Sequence, residues 1–303
     1  MMEKLDLGKV REYGNLELLA RQMVEGFITG LHKSPFHGFS VEFAEHRLYN
    51  VGESTKHIDW KVFGKTDRLF VKRYEEETNL RCHLLIDTSS SMYYPAKNNG
   101  KLTFSCLAAA TLANLMKKQR DAVSLTAFSD KIEVQTAVKS TGGHIHQIYV
   151  ELEKLMTLSQ PNKTSSVADT LHQIADSIHK RSLVVIFSDM FENMDDLTAI
   201  FSALQHLKHN KHEVLLFHVT EHSTERDFDF DERPYEFIDV ETGEKVRAQP
   251  SQVKEQYQTA VQSFYKDLRL KCGQYKIDFV EADINQGFDQ VMASFLTRRA
   301  KMK

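Results

Sequence analysis

The chain has 303 residues, with 39 Lys+Arg against 42 Asp+Glu and a formal net charge of -3. That balance argues against a dedicated nucleic-acid binder, which carries a clear basic excess or stripe. Hydrophobic residues are 41% and charged residues 27%, too apolar for a disordered chain, and only 13 Gly and 5 Pro disfavour a loop-rich all-β architecture.

Residues 12–31 carry Leu16, Leu19, Met23 and Phe27 on one face of a helix. Between Ser34 and Thr78 the texture turns to strand. Phe39–Phe43 alternates, and Ile58–Phe63 and Leu69–Tyr74 read as two more strands of a small β-rich module. From Leu80 the runs Leu84–Ile86, Val123–Phe128, Leu183–Phe187 and Val214–Val219 are short and apolar, as strands buried on both faces are. Helical stripes lie between them: Ile145, Ile148, Tyr149, Leu152, Leu155 and Met156; then Val167, Leu171, Ile174 and Ile178; then Leu197, Ile200, Phe201, Leu204 and Leu207. Alternating strands and helices predict an α/β fold, a doubly wound and mostly parallel sheet. Tyr235–Val240 and Lys245–Arg247 flank a turn with Gly243, a hairpin signal. A helix from about Ser251, a strand over Lys276–Glu281 and a helix carrying Phe288, Val291, Met292 and Phe295 finish the chain. The expected division is 1–79, an N-terminal helix and β-rich module, and 80–303, an α/β domain with a hairpin insertion near 233–249.

No apolar run approaches the roughly 18–20 residues of a membrane helix, so no integral membrane segment is expected. The N-terminus lacks a signal-peptide layout, and Cys82, Cys106 and Cys272 are far apart without a C-x-x-C pair. Both point to a cytoplasmic chain with buried thiols.

The first buried strand runs into Asp87-Thr88-Ser89-Ser90-Ser91, and Leu183–Phe187 runs into Ser188-Asp189. Ligands of open α/β sheets sit at such strand ends. Asn162-Lys163-Thr164-Ser165-Ser166 opens an intervening helix and adds hydroxyls. Carboxylates and hydroxyls without clustered Cys or His suit a hard cation, Mg²⁺ first, with Mn²⁺ or Ca²⁺ as alternatives. An Asp or Ser after a strand also serves as a helix cap or turn former. Two such motifs at equivalent strand ends favour the ion.

Asp87-x-Ser89-x-Ser91, with a later Thr and a later strand-end Asp, resembles the metal-ion-dependent adhesion site of von Willebrand factor A domains. The resemblance implies metal ligation by Asp87, Ser89, Ser91, Thr164 and Asp189, with Ser165 or Ser166 as alternatives to Thr164, because Asn162-Lys163 replaces the usual glycines. Upstream, Arg47, Gly52-Glu53, Ile58-Asp59-Trp60, Leu69–Arg73 and Glu75–Glu77 resemble the segment preceding the A domain in the bacterial DUF58 family. Gly64 departs from the small residue, such as Ala, expected there. The family resemblance implies a divalent-metal-dependent protein-binding module. Its expected partner is a MoxR-type AAA+ ATPase, with a partner protein supplying an acidic residue to the metal and no nucleic acid involved.

Other signals weigh less. Gly64-Lys65-Thr66 lacks the earlier Gly of a phosphate loop, since position 59 is Asp. His206, His209, His212, His218 and His222 crowd one region and read as a solvated helix face and the strand after it. Asp227-Phe-Asp-Phe-Asp-Glu reads as a solvated acidic loop or a docking segment. A phosphoryl transferase with Asp87 as nucleophile wants a second Asp where Ser89 stands. The expected class is therefore a binder and not an enzyme, with a metal-dependent hydrolase and a scaffold with a vestigial ion site as the alternatives.

Overall fold

The computed structural model describes residues 16–21, 24, 42–49, 58–75, 80–96, 100–157, 167–179, 181–191, 198–239, 243–286 and 291. The chain divides into two compact units, Phe36–Leu80 and the remainder.

In the smaller unit, β1 (Glu42–Leu48) pairs antiparallel with β2 (Phe70–Glu75), with a register shift between Phe43 and Glu45. Ile58–Phe63, expected as a strand, instead leads into helix α1 (Trp60–Thr66). Asp59 overrides the aromatic and β-branched run. It sits at the N-cap, and its carboxylate accepts from the amides of Lys61 and Val62 at 3.0 and 3.3 Å. Gly64-Lys65-Thr66 ends that helix, where no phosphate-cradling loop exists. Gly52, Glu53, Glu76 and Glu77 lie outside the described residues.

The larger unit holds a sheet of β3 (Arg81–Asp87), β4 (Ala122–Phe128), β5 (Ile132–Gln135), β6 (Leu183–Ser188), β7 (Glu213–Thr220) and β10 (Asp278–Asp283). Their spatial order is β10-β7-β6-β3-β4-β5, and only β5 runs antiparallel to its neighbour. The chain leaves β3 toward β4 on one side and later returns to β6 on the other. The strand order thus reverses between β3 and β6, the position where open α/β sheets bind ligands.

Helix α2 (Gly100–Lys118) follows β3 and is buried from Gly100 to Met116, so it has no polar face to betray it as amphipathic. Helices α3 (Gly142–Thr157), α4 (Val167–Ser177) and α5 (Thr198–His209) bury the expected stripes, apart from Leu197, which lies outside the described residues. The β7 strand leads to a π-helical turn over His222–Arg226 and then to a hairpin of β8 (Tyr235–Ile238) and β9 (Lys245–Ala248), with Gly243 at φ 75° in the turn. Helix α6 (Pro250–Gln274) returns the chain to β10 and buries Val261, Phe264 and Leu268. Of the expected last helix, only Val291 lies among the described residues.

The helix expected in the N-terminal module belongs instead with the larger unit. Leu16, Leu19, Ala20 and Val24 are buried, and the Leu16 amide donates to Glu153 Oε1 at 2.9 Å. The histidines expected on a solvated face divide. His206 stays on the helix surface, but His212 and His218 are 1% and 0% exposed. His218 packs among Phe191, Phe264, Tyr265 and Phe279, because β7 is buried on both faces. The acidic run is split by its alternation. Phe228 is buried against Phe237 and Tyr257, while Asp227, Asp229 and Asp231 remain exposed. The thiols of Cys82, Cys106 and Cys272 are free and buried.

Candidate metal centre

Parallel pairing of β3 with β6 sets Ile86 beside Phe187. One residue further, the Ser188 hydroxyl donates to Asp87 Oδ2 at 2.6 Å. The other oxygen, Oδ1, accepts the Ser89 amide at 2.8 Å. The chain then turns into a short 3₁₀ segment, Ser90–Tyr93, which brings the Ser89 and Ser91 hydroxyls to 3.1 Å from one another. Asp189 follows β6 and is 1% exposed, as is Asp87. The structure therefore gathers Asp87, Ser89, Ser91 and Asp189 at neighbouring strand ends. Thr164, Ser165 and Ser166 lie outside the described residues.

Both carboxylates are buried, and their surroundings differ. Burial pushes the Asp87 carboxyl up to about 7, Asp189 adds to the rise, and the Ser188 and Ser89 donors oppose it. Asp189 accepts the Phe191 amide on Oδ1 at 3.1 Å and the Lys101 ammonium on Oδ2 at 2.7 Å. Lys101 is 0% exposed and places the same ammonium 2.5 Å from Glu225 Oε1. Burial alone would lower its pKa, but Asp189 and Glu225 outweigh it and hold the charge in place. The rings of Tyr94 and Phe191 lie 5.9 and 5.8 Å from the ammonium.

Glu225 is held in turn. Its Oε2 accepts the Glu221 amide at 2.7 Å, and its carbonyl accepts the Tyr257 hydroxyl at 2.8 Å. Glu221 accepts the Ser223 hydroxyl, the Thr224 amide and hydroxyl and the Asn285 side chain. His218 donates from Nε2 to the Asp189 carbonyl at 2.9 Å, and burial pushes its pKa down to about 4.

Lys101, Glu225 and His218 lie outside the two sequence motifs; sequence reading missed the first two and set His218 aside with its neighbouring histidines. Lys101 did leave a signal. It sits in the first turn of a helix, where the macrodipole disfavours a cation, and no polar face follows it. Glu225 left none.

The oxygen donors fit a hard divalent cation. Asp87 supplies a buried carboxylate that accepts from neutral donors, the Ser89 amide and the Ser188 hydroxyl, and the Ser89 and Ser91 hydroxyls converge. When bound, such an ion supplies positive charge and exchangeable coordination positions. Among the described residues, no group of three or more His, Cys, Asp or Glu side chains converges as a metal site, so the fit rests on hydroxyls as well as carboxylates. Also among the described residues, no helix is long and apolar enough to cross a membrane.

Curated relatives include the uncharacterized proteins Rv1480 of Mycobacterium tuberculosis and Mb1516 of Mycobacterium bovis. Each is 26% identical over 178 residues, 57% of this chain and 55% of the relative. The chain thus spans about half the length of the curated relatives it matches. Similar solved structures include BatB from Bacteroides thetaiotaomicron, with TM-score 0.40 and 10% identity over 73% of this chain and 99% of that one. An aerotolerance-related membrane protein from Bacteroides fragilis gives TM-score 0.42 and 11% identity over 72% and 99%. A von Willebrand factor type A structure from Catenulispora acidiphila gives 0.34 and 12% over 48% and 34%. The architecture in hand is mixed α/β with a mostly parallel six-stranded sheet. The model of the family described as "Protein of unknown function DUF58" matches residues 45–266, and the chain belongs to that family.

Proposed function

We propose that this chain is a protein-binding module whose recognition depends on a divalent metal, Mg²⁺ first, and that it serves as a partner or adaptor of a MoxR-type AAA+ ATPase. The observation that carries the reading is the meeting of Asp87, Ser89, Ser91 and Asp189 at the strand-order reversal. The ATPase rests on the family resemblance. An ion there offers an open position to an acidic side chain of the partner. Loss of the ion leaves the buried Asp87 carboxylate without a cation facing an incoming carboxylate, and like charges at close range repel.

Among the described residues, the imidazole that touches Asp189, His218, is 0% exposed and spends its Nε2 proton on a carbonyl, which takes it out of play as a general base and supports a binder over an enzyme. The test is calorimetry or pull-down against the candidate ATPase in Mg²⁺ and in EDTA, with circular dichroism as the folding control. Binding is expected to weaken sharply in EDTA, and Asp87→Ala and Ser89→Ala to mimic chelation. Equal affinity in both buffers, with folded protein, would remove the ion from recognition. Mg²⁺-stimulated phosphatase turnover lost in Asp87→Asn would favour a hydrolase. A second reading, a scaffold with a vestigial ion site, draws on Lys101, whose ammonium already sits on Asp189.

A further inference from the structure

The geometry points to Lys101 as the residue that decides which rim carboxylate a divalent ion engages. It reserves Asp189 as its own counter-ion and leaves the ion to Asp87 and the Ser89 and Ser91 hydroxyls. This inference rests on the ion reading above. Asp189 Oδ2 has an ammonium 2.7 Å away, and Oδ1 already accepts an amide. A dication approaching Oδ2 therefore meets a fixed positive charge at close range, in a place where water screens little. The whole Lys101 side chain is buried, and its ammonium is held from a second side by Glu225. Asp87 presents no such obstacle. It accepts from the Ser89 amide and the Ser188 hydroxyl, both neutral, and two hydroxyls 3.1 Å apart follow it closely in the chain.

The asymmetry has a consequence for what the site recognises. An ion that draws one carboxylate instead of two keeps positive charge. The ligand class that completes it is an acidic side chain, and neutral amides or hydroxyls compete poorly. Lys101 is thus a specificity-determining positioning residue that acts through Asp189. The second partner of the ammonium is Glu225, whose other oxygen accepts the Glu221 amide.

A thermodynamic cycle tests this with Mn²⁺ as the probe, reading free Mn²⁺ by electron paramagnetic resonance. The four proteins are the wild type, Lys101→Met, Asp189→Asn and the double variant, each checked by circular dichroism. Lys101→Met frees Asp189 and should bind Mn²⁺ about tenfold tighter. Adding Asp189→Asn should abolish that gain. A wild type that binds Mn²⁺ while Lys101→Met binds no tighter overturns the inference and leaves the ion reading standing. A gain that persists with Asp189→Asn also overturns it, since the effect is then one of net charge. Folded wild type and variants that all ignore millimolar Mn²⁺ overturn the ion reading, and this inference with it. Should Lys101→Met fail to fold, the same cycle is run in a Glu225→Gln background, which carries one fewer buried negative charge.

Discussion

The two ends of the central sheet both bury polar groups, and they do so in opposite ways. At the carboxyl ends of β3 and β6, the buried Asp87, Asp189 and Lys101 and the partly buried Glu225 form a charged cluster. At the amino ends the buried groups are mainly imidazoles and alcohols, together with the carboxylate Asp121, which is 0% exposed. His83 Nδ1 shares a hydrogen bond of 2.8 Å with Ser124 Oγ, and His212 Nδ1 accepts the Ser182 amide at 3.2 Å. Burial pushes the His83 pKa down to about 4, with the neighbouring His212, His179 and Arg81 adding to it. The carboxyl ends gather several charges around one buried cation, whereas the amino ends bury the carboxylate Asp121 among imidazoles and alcohols. Buried charge costs several kcal/mol per ion unless compensated, so the charges clustered around Lys101 single out the carboxyl ends as the candidate site.

The sharpest way to break this contrast is to remove the central charge. Lys101→Met in chelator should lose about 3–5 kcal/mol of stability in urea unfolding, because Asp189 and Glu225 are left buried without their cation. Added Mg²⁺ should restore part of that loss. No recovery would separate the charged cluster from ion binding.

The imidazole-bearing end should fail in acid. The His83 pKa is about 4 in the fold against 6.5 for the ordinary imidazole, so the unfolded chain takes up this proton first. The stability His83 contributes is full above pH 6.5 and is lost as the pH falls toward 4. The loss is about 3 kcal/mol. Urea melts across that window should show a shallower pH dependence in His83→Gln than in the wild type. Parallel curves would mean that His83 is not held neutral.

Ser124→Ala removes the partner of His83 Nδ1 and should cost about 1–2 kcal/mol, the penalty of a buried polar atom left unsatisfied. The smallest effect belongs to the surface. Lys117 and Glu17 lie 3.6 Å apart and are 40% and 41% exposed. Lys117→Ala should change stability by no more than about 0.5 kcal/mol. It should also leave partner binding unchanged, which makes it the control for Lys101.

The same contrast explains what the sequence revealed. The strands at Leu84–Ile86, Leu183–Phe187 and Val214–Val219 were legible because a strand buried on both faces is a short unbroken apolar run. Asp87 and Asp189 were legible because each ends such a run. Ile58–Phe63 was misread because one capping carboxylate outweighed six residues of strand-like texture. His212 and His218 were misread because crowding in sequence says nothing about which side of a strand each ring takes. Lys101 and Glu225 meet Asp189 across separations of 88 and, through Lys101, 124 residues, which only the sheet order converts into contact.

The three buried thiols give the fold an internal clock. Burial raises the pKa of each thiol, that of Cys272 to about 12, and alkylating reagents attack the thiolate. In the closed protein each sulfur is therefore both hidden and in the wrong protonation state. Modification of Cys82 reports when the central strand opens, that of Cys106 when the buried helix departs, and that of Cys272 when the end of the long C-terminal helix frays. Three rates measured on one unmodified chain would give the order in which its parts come undone.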